Sequence, residues 1–172
     1  FVVEGLQRGA SLSGFGFLAA AAVQALVLLP AGRMADTQGR RKALLYGSIA
    51  TALGMVVLTL ADAAVNGLGH AAMWGTILFL VSMAIQGFGA AFLGSAPSAV
   101  IGDVMGGKKG GIVVATFQMM SEVGAVVGPL AAGLLVDLFD FSWAFAFGAL
   151  LAILPIFLVI RMPETLRRSD IT

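Results

Sequence analysis

The sequence predicts an all-α membrane protein, a single bundle of about five complete spanning helices. Three observations carry this reading. Only 11% of the residues are charged and 59% are hydrophobic, whereas an ordinary soluble domain carries about 25% charge. The charges are also gathered into short stretches, with none between Arg8 and Arg33 and none between Lys42 and Asp62. Both gaps are long enough to cross a bilayer, which takes about 20 apolar residues at a rise of roughly 1.5 Å each. Finally, the cations fall on alternate turns of the chain, as the two sides of a membrane require.

Taken in order, residues 1–11, with Glu4 and Arg8, read as the end of a preceding helix followed by an external loop. The first full span is about 12–31, stopped by Pro30-Ala31-Gly32. A tight basic loop follows, and glycines at both of its ends permit a sharp turn. The second span is about 43–61 and ends at Asp62. The polar connector Asn66-Gly67-Leu68-Gly69-His70 leads into a long third span, about 73–100, which Pro97 should kink or end. Asp103 through Gly111, with Lys108 and Lys109, form the next polar loop. The fourth span covers about 112–135, and Asp137-Leu138-Phe139-Asp140 turns the chain. The fifth covers about 142–160, and 161–172 is a basic tail.

Counting Lys and Arg by side gives the orientation. Arg33, Arg40, Arg41, Lys42, Lys108, Lys109, Arg161, Arg167 and Arg168 fall together, and Arg8 alone falls opposite. The positive-inside rule then makes the tail cytoplasmic and the start external, in a plasma (inner) membrane. Trp74 and Trp143 fall near external span ends, as interfacial anchors or as core aromatics. The net charge of +1 is dispersed, so no nucleic-acid partner is expected, and the absence of cysteine removes disulfides and thiol chemistry. The 23 glycines point to close helix packing. The chain starts at Phe1 with no basic n-region before an apolar stretch. It reads as a piece of a longer protein without a signal peptide of its own.

The basic loop reads Gly32-Arg33-Met34-Ala35-Asp36-Thr37-Gln38-Gly39-Arg40-Arg41-Lys42. A Gly-x-x-x-Asp-x-x-Gly-Arg-Arg/Lys pattern between two spans resembles the loop motif of the major facilitator superfamily of secondary transporters. The resemblance extends over essentially the whole chain. It implies half of a major-facilitator-type bundle, from the end of the seventh helix through the twelfth, packed against a missing N-terminal six-helix half. The assignment to the N-terminal half is the alternative. In that family the loop latches neighbouring helices, which would make Gly32, Asp36, Gly39, Arg40 and Arg41 a gating loop. The other reading is that the cations only set topology. Gln86-Gly87 resembles a family segment of the fourth helix, but Met83 stands where its arginine belongs. The tenth helix is the better match. The exit Arg161-Met162-Pro163-Glu164-Thr165 also resembles family members.

Glu122 is the one ionisable residue well inside a span, about 15 Å from the loop at Gly110-Gly111. A carboxylate at that depth is expensive and by default belongs to a substrate or proton path. The alternative is a hydrogen-bonded structural glutamic acid. The same span continues through Gly128, Pro129 and Gly133, a packing or kink element. It resembles the Gly-Pro-x-x-Gly-Gly element of drug/proton antiporters, with Ala132 in place of one glycine. Gln24, Gln86 and Gln118 are candidate cavity residues, although Gln86 serves equally as a helix-to-helix bond. His70 reads as a solvated loop residue. No catalytic residues, metal ligands or phosphate-binding loop stand out, so no enzyme, ATPase engine or cofactor is expected.

The resemblance thus implies proton-coupled efflux of a small hydrophobic or cationic compound by alternating access, driven by a proton gradient. Proton-coupled uptake of a sugar or metabolite ranks second, because its cavity would need more polar side chains. A non-transporting membrane scaffold or sensor is the alternative of another class, and an intramembrane enzyme ranks behind it. Five spans form only one wall of a cavity, so this chain alone should not transport.

Overall fold

The computed structural model describes residues 1–4, 6–68, 73–105 and 111–164, with the backbone only at residue 98. Among these residues there are five α-helices and no strand: α1 Ser11–Gln38, α2 Arg40–Leu68, α3 Met73–Met105, α4 Gly111–Leu138 and α5 Phe141–Arg161. All five are long and apolar enough to cross a membrane. In that solvent every backbone polar group must be satisfied within the segment, and a helix does so. Phe15, Phe17, Leu26, Leu29 and many other large apolar side chains lie exposed on the outside of the bundle. Such a surface belongs in lipid.

The helices extend beyond the apolar stretches that reveal them. Hydropathy marks the hydrocarbon layer, while the helix continues into the interface. The clearest case is the stretch 32–38, expected as a loop, which is the last two turns of α1. Pro30 lies inside the helix and does not stop it. The turns beyond it persist because Ala31 and Ala35 are buried against Ala43 and Leu44 of α2 and Ala91, Phe92 and Ala96 of α3. Packing there outweighs the missing hydrogen bond. Pro97 is likewise inside α3, which runs on through Asp103 to Met105. Residues 66–68 belong to α2, whereas Gly69 and His70 lie outside the described residues, as do Lys108, Lys109, Arg167 and Arg168. Residues 1–4 are turns and not the end of a helix.

Successive helices run in opposite directions, giving the bundle two ends. At one end, called here the motif end, the alanine-rich cluster just described is completed by Val159 of α5. At the far end Val2 and Leu6 pack with Leu58 and Val65 of α2 and Phe79 of α3. α3 is the central helix, packed on both α1 and α2, and α2 packs on α5 along its other side. α4 stands at the edge, touches mainly α5 and buries none of its residues.

At Gly87 the backbone of α3 lies directly against that of α1. A Cβ on Gly87 would stand 2.1 Å from the carbonyl oxygen of Ala20 and 2.8 Å from its carbonyl carbon. Only glycine fits, and the obstacle is backbone that cannot swing aside. Gly87→Ala is expected to destabilise the protein by about 1–3 kcal/mol through overpacking. Gly94→Ala places a methyl in open space and should change stability by less than about 0.5 kcal/mol. Thermal unfolding of the two variants in detergent micelles checks the contrast.

Candidate functional site

Two groups of polar side chains stand out against the hydrocarbon, one at the motif end and one inside α4. The first is built on a chain reversal that takes a single residue. Gly39, with φ +115° and ψ 147°, separates α1 from α2. That φ favours glycine. A Cβ there would also displace the Glu164 carboxylate, the flexible end of an exposed side chain. Gly32, by contrast, is inside α1 with open space around it.

The reversal sets the last turn of α1 beside the first turn of α2. Asp36 occupies the former, where the carboxyl end of a helix disfavours an anion. Its compensation is Arg40, whose Nη1 donates to Asp36 Oδ1. The same guanidinium donates from Nε to Asp103 Oδ2 of α3 at 3.1 Å. Arg40 therefore ties three helices together. Its side chain is 12% exposed, against 25% for Asp103 and 66% for Asp36. The Asp103 arm is the sheltered one and the Asp36 arm faces out.

Arg41 turns the other way, toward α5. Its Nε donates to the carbonyl of Val159 at 3.2 Å and its Nη2 to that of Ile160. These carbonyls lie in the last turn of a helix, where backbone donors run short, and that of Val159 also accepts the N–H of Met162 at 3.1 Å. In return, Glu164, just beyond α5, accepts the backbone N–H of Arg40 at 2.8 Å and of Arg41 at 3.3 Å. Those amides are the unsatisfied donors at the start of α2, and that end of the helix attracts an anion. Each helix end thus receives its counter-group from the other helix. The loop motif displayed Asp36, Gly39, Arg40 and Arg41, but reasoning along the chain missed Asp103 and Glu164. The available signal was that several cations at one membrane surface need acids, and these two are the nearby ones.

The second group is Glu122, eleven residues after the start of α4, hence about 16 Å along it. It is exposed, as is Gln118 one turn earlier on the same face. A groove of about 750 Å3 runs past Gln118, Ser121 and Glu122. Further along, Gly128, Pro129 and Gly133 line an apolar cavity of about 700 Å3 that Met55, Leu58, Ala144 and Gly148 close from α2 and α5. Gln24 is exposed on α1. Gln86 is partly buried, and a Cβ on Gly54 of α2 would lie 3.0 Å from its Cγ. Gln86 therefore sits in the α2–α3 seam. Among the described residues no three His, Cys, Asp or Glu side chains form a group that would hold a metal ion.

A sequence model of the Major Facilitator Superfamily matches residues 2–171. The chain is also similar to an uncharacterized MFS-type transporter of Mycobacterium tuberculosis, at 28% identity over 150 residues. That alignment takes in 85% of this chain and 24% of the relative. The chain therefore spans about a quarter of the length of the curated relative it matches. No solved structure matches.

The two arms of Arg40 should differ in strength. Asp103→Ala removes a sheltered, charge-assisted hydrogen bond and should cost about 1.5–3 kcal/mol. Asp36→Ala removes an exposed ion pair and should cost less than about 1 kcal/mol. Unfolding midpoints in detergent, at low and at high salt, will rank them, with only the Asp36 effect shrinking as salt rises.

Proposed function

The chain belongs to the major facilitator superfamily, and from that premise we propose that it forms part of a proton-coupled secondary transporter. Its cargo is a small hydrophobic or cationic compound, exported by alternating access as in the drug/proton antiporter branch. The protein resides in a plasma (inner) membrane with the motif end and the tail cytoplasmic. A partner bundle half closes the cavity. The observation that carries the reading is Glu122: among the described residues it is the one ionisable side chain in the middle of a helix, and it is exposed there.

The mechanism follows from the cost of charge. An ionised carboxylate at that depth needs water, a cation or a proton. Cation and proton compete for the same oxygens, so Glu122 binds one at a time. Protonation from outside expels the cargo, and loss of the proton to the cytoplasm readies the site again. Gln118, one turn away, supplies a neutral hydrogen-bonding group beside it, and Pro129 lets α4 bend above it.

Closure of the cytoplasmic side falls to the Gly39 cluster. The exposed Asp36 arm is worth no more than about 1 kcal/mol, so it breaks and reforms cheaply in a cycle. Asp36 and Arg40 are the moving contact. Arg41, tied to α5, is the base against which it moves. The near absence of polar side chains from the cavity beside α4 supports an apolar or cationic cargo over a sugar.

The test uses the full-length protein in proteoliposomes under an imposed pH gradient, with a panel of fluorescent cations. The natural protein is expected to concentrate a cation against its gradient, and Glu122→Gln only to equilibrate it. If the variant accumulates cation as strongly as the natural protein, Glu122 does not couple the proton.

A further inference from the structure

Asp62 first reads as the polar end of the second span, yet it lies inside α2 and is 3% exposed. Ala61, Leu58 and Val65 around it are buried as well. A carboxylate in such surroundings costs several kcal/mol unless it is well compensated. Its compensation is the start of α5: Ser142, the second residue of that helix, donates its hydroxyl to Asp62 Oδ2. Asn66 Nδ2, one turn further along α2, donates to the same oxygen at 3.4 Å. Asp140, at the N-cap position of α5, makes no side-chain cap bond of its own. Asp62 therefore holds the start of α5 through the Ser142 side chain, one helix bonded to the first turn of another.

The opposite end of α5 is tied to α2 as well, with Arg41 on its last carbonyls and Glu164 on the first amides of α2. A helix of 21 residues, about 32 Å long, is thus fastened to the same neighbour at both termini. Between the ties the seam is apolar, with Met55 Sδ 3.3 Å from where a Cβ on Gly148 would stand. Apolar packing alone tolerates sliding and rotation, while directional bonds at two ends do not.

We propose that Asp62 is a positioning residue of the transport cycle. Through Ser142 it ties the start of α5 to α2, and with the Arg41–Glu164 clamp it holds the two helices in one register while the Asp36–Arg40 contact opens and closes. The proposal rests on the transporter reading given above and adds which helices stay together.

This chain contains no cysteine, and the variants are made in full-length protein from which any cysteine elsewhere has been replaced by serine. Asp62→Cys and Ser142→Cys, made singly, should each lower transport turnover about tenfold, the scale of one lost buried polar contact. In the double variant, bridging the thiols with a short bifunctional reagent replaces the polar tie by a covalent one and should restore turnover. Bridging yield should also be the same with and without substrate and pH gradient. Single variants that transport like the natural protein would overturn the proposal. So would a bridged protein that is folded but inactive, or a yield that changes with substrate or gradient. Should the single variants fail to fold, the bridged double variant and the yield comparison still decide. An unsubstituted protein that moves none of the probes would instead refute the transporter reading, leaving the bridging yield as the test of fixed register.

Discussion

The motif end depends on the chain reversing direction at Gly39. A reversal this short leaves no loop to carry away the unsatisfied groups of two helix termini. The carbonyls ending α1 and the amides beginning α2 are forced to the same place. That concentration of partial charge selects the residues around it: an arginine to neutralise Asp36, an acid to meet the amides, and a second acid to complete the arginine. Gly39, Asp36, Arg40, Asp103 and Glu164 are one electrostatic solution and not five independent choices. Were the connection longer, water and lipid headgroups would satisfy the same groups, and the helices would lose their mutual grip.

Much of this architecture was legible in the sequence, for reasons that also explain what was not. Charge-free gaps locate helices because a bilayer taxes every charge in the same way, whatever the tertiary structure. Helix ends are another matter. Pro30 and Gly32 look like terminators, yet the burial of Ala31 and Ala35 carries α1 past them. Burial of a given alanine is a property of three helices together and leaves no local trace. Asp62 illustrates the same gap: a charge at the end of an apolar run reads as a boundary, and only its meeting with Ser142, 80 positions away, reveals an interior residue. The Gly39 motif was visible as a pattern, while its partners Asp103 and Glu164 were not, since contacts across 63 and 124 positions obey no spacing rule. Glu122 was legible because an acid amid hydrocarbon is conspicuous anywhere.

The five helices divide the work unequally. α3 is gripped on both sides by α1 and α2, and α2 is gripped again by α5. α4 shares little of this and carries the mid-helix acid on a face that no other described helix covers. Small residues serve opposite purposes in the two settings. Gly87 lets backbones touch, whereas Gly128 and Gly133 leave room beside their helix. A bundle that is tight in one part and open in another is what a device with a fixed frame and a working surface requires.

The bond between Glu164 and the amides of Arg40 and Arg41 has a consequence in time as well as in space. Those amides are translated more than 120 residues before the carboxylate that satisfies them, about 6–25 s at ordinary elongation rates. α1 and α2 therefore enter the bilayer with their shared corner still hydrogen-bonded to water at the interface. The corner gains its carboxylate only when α5 arrives and the residues beyond it fold back. α5 thus completes a corner that the sequence motif opened two helices and more earlier.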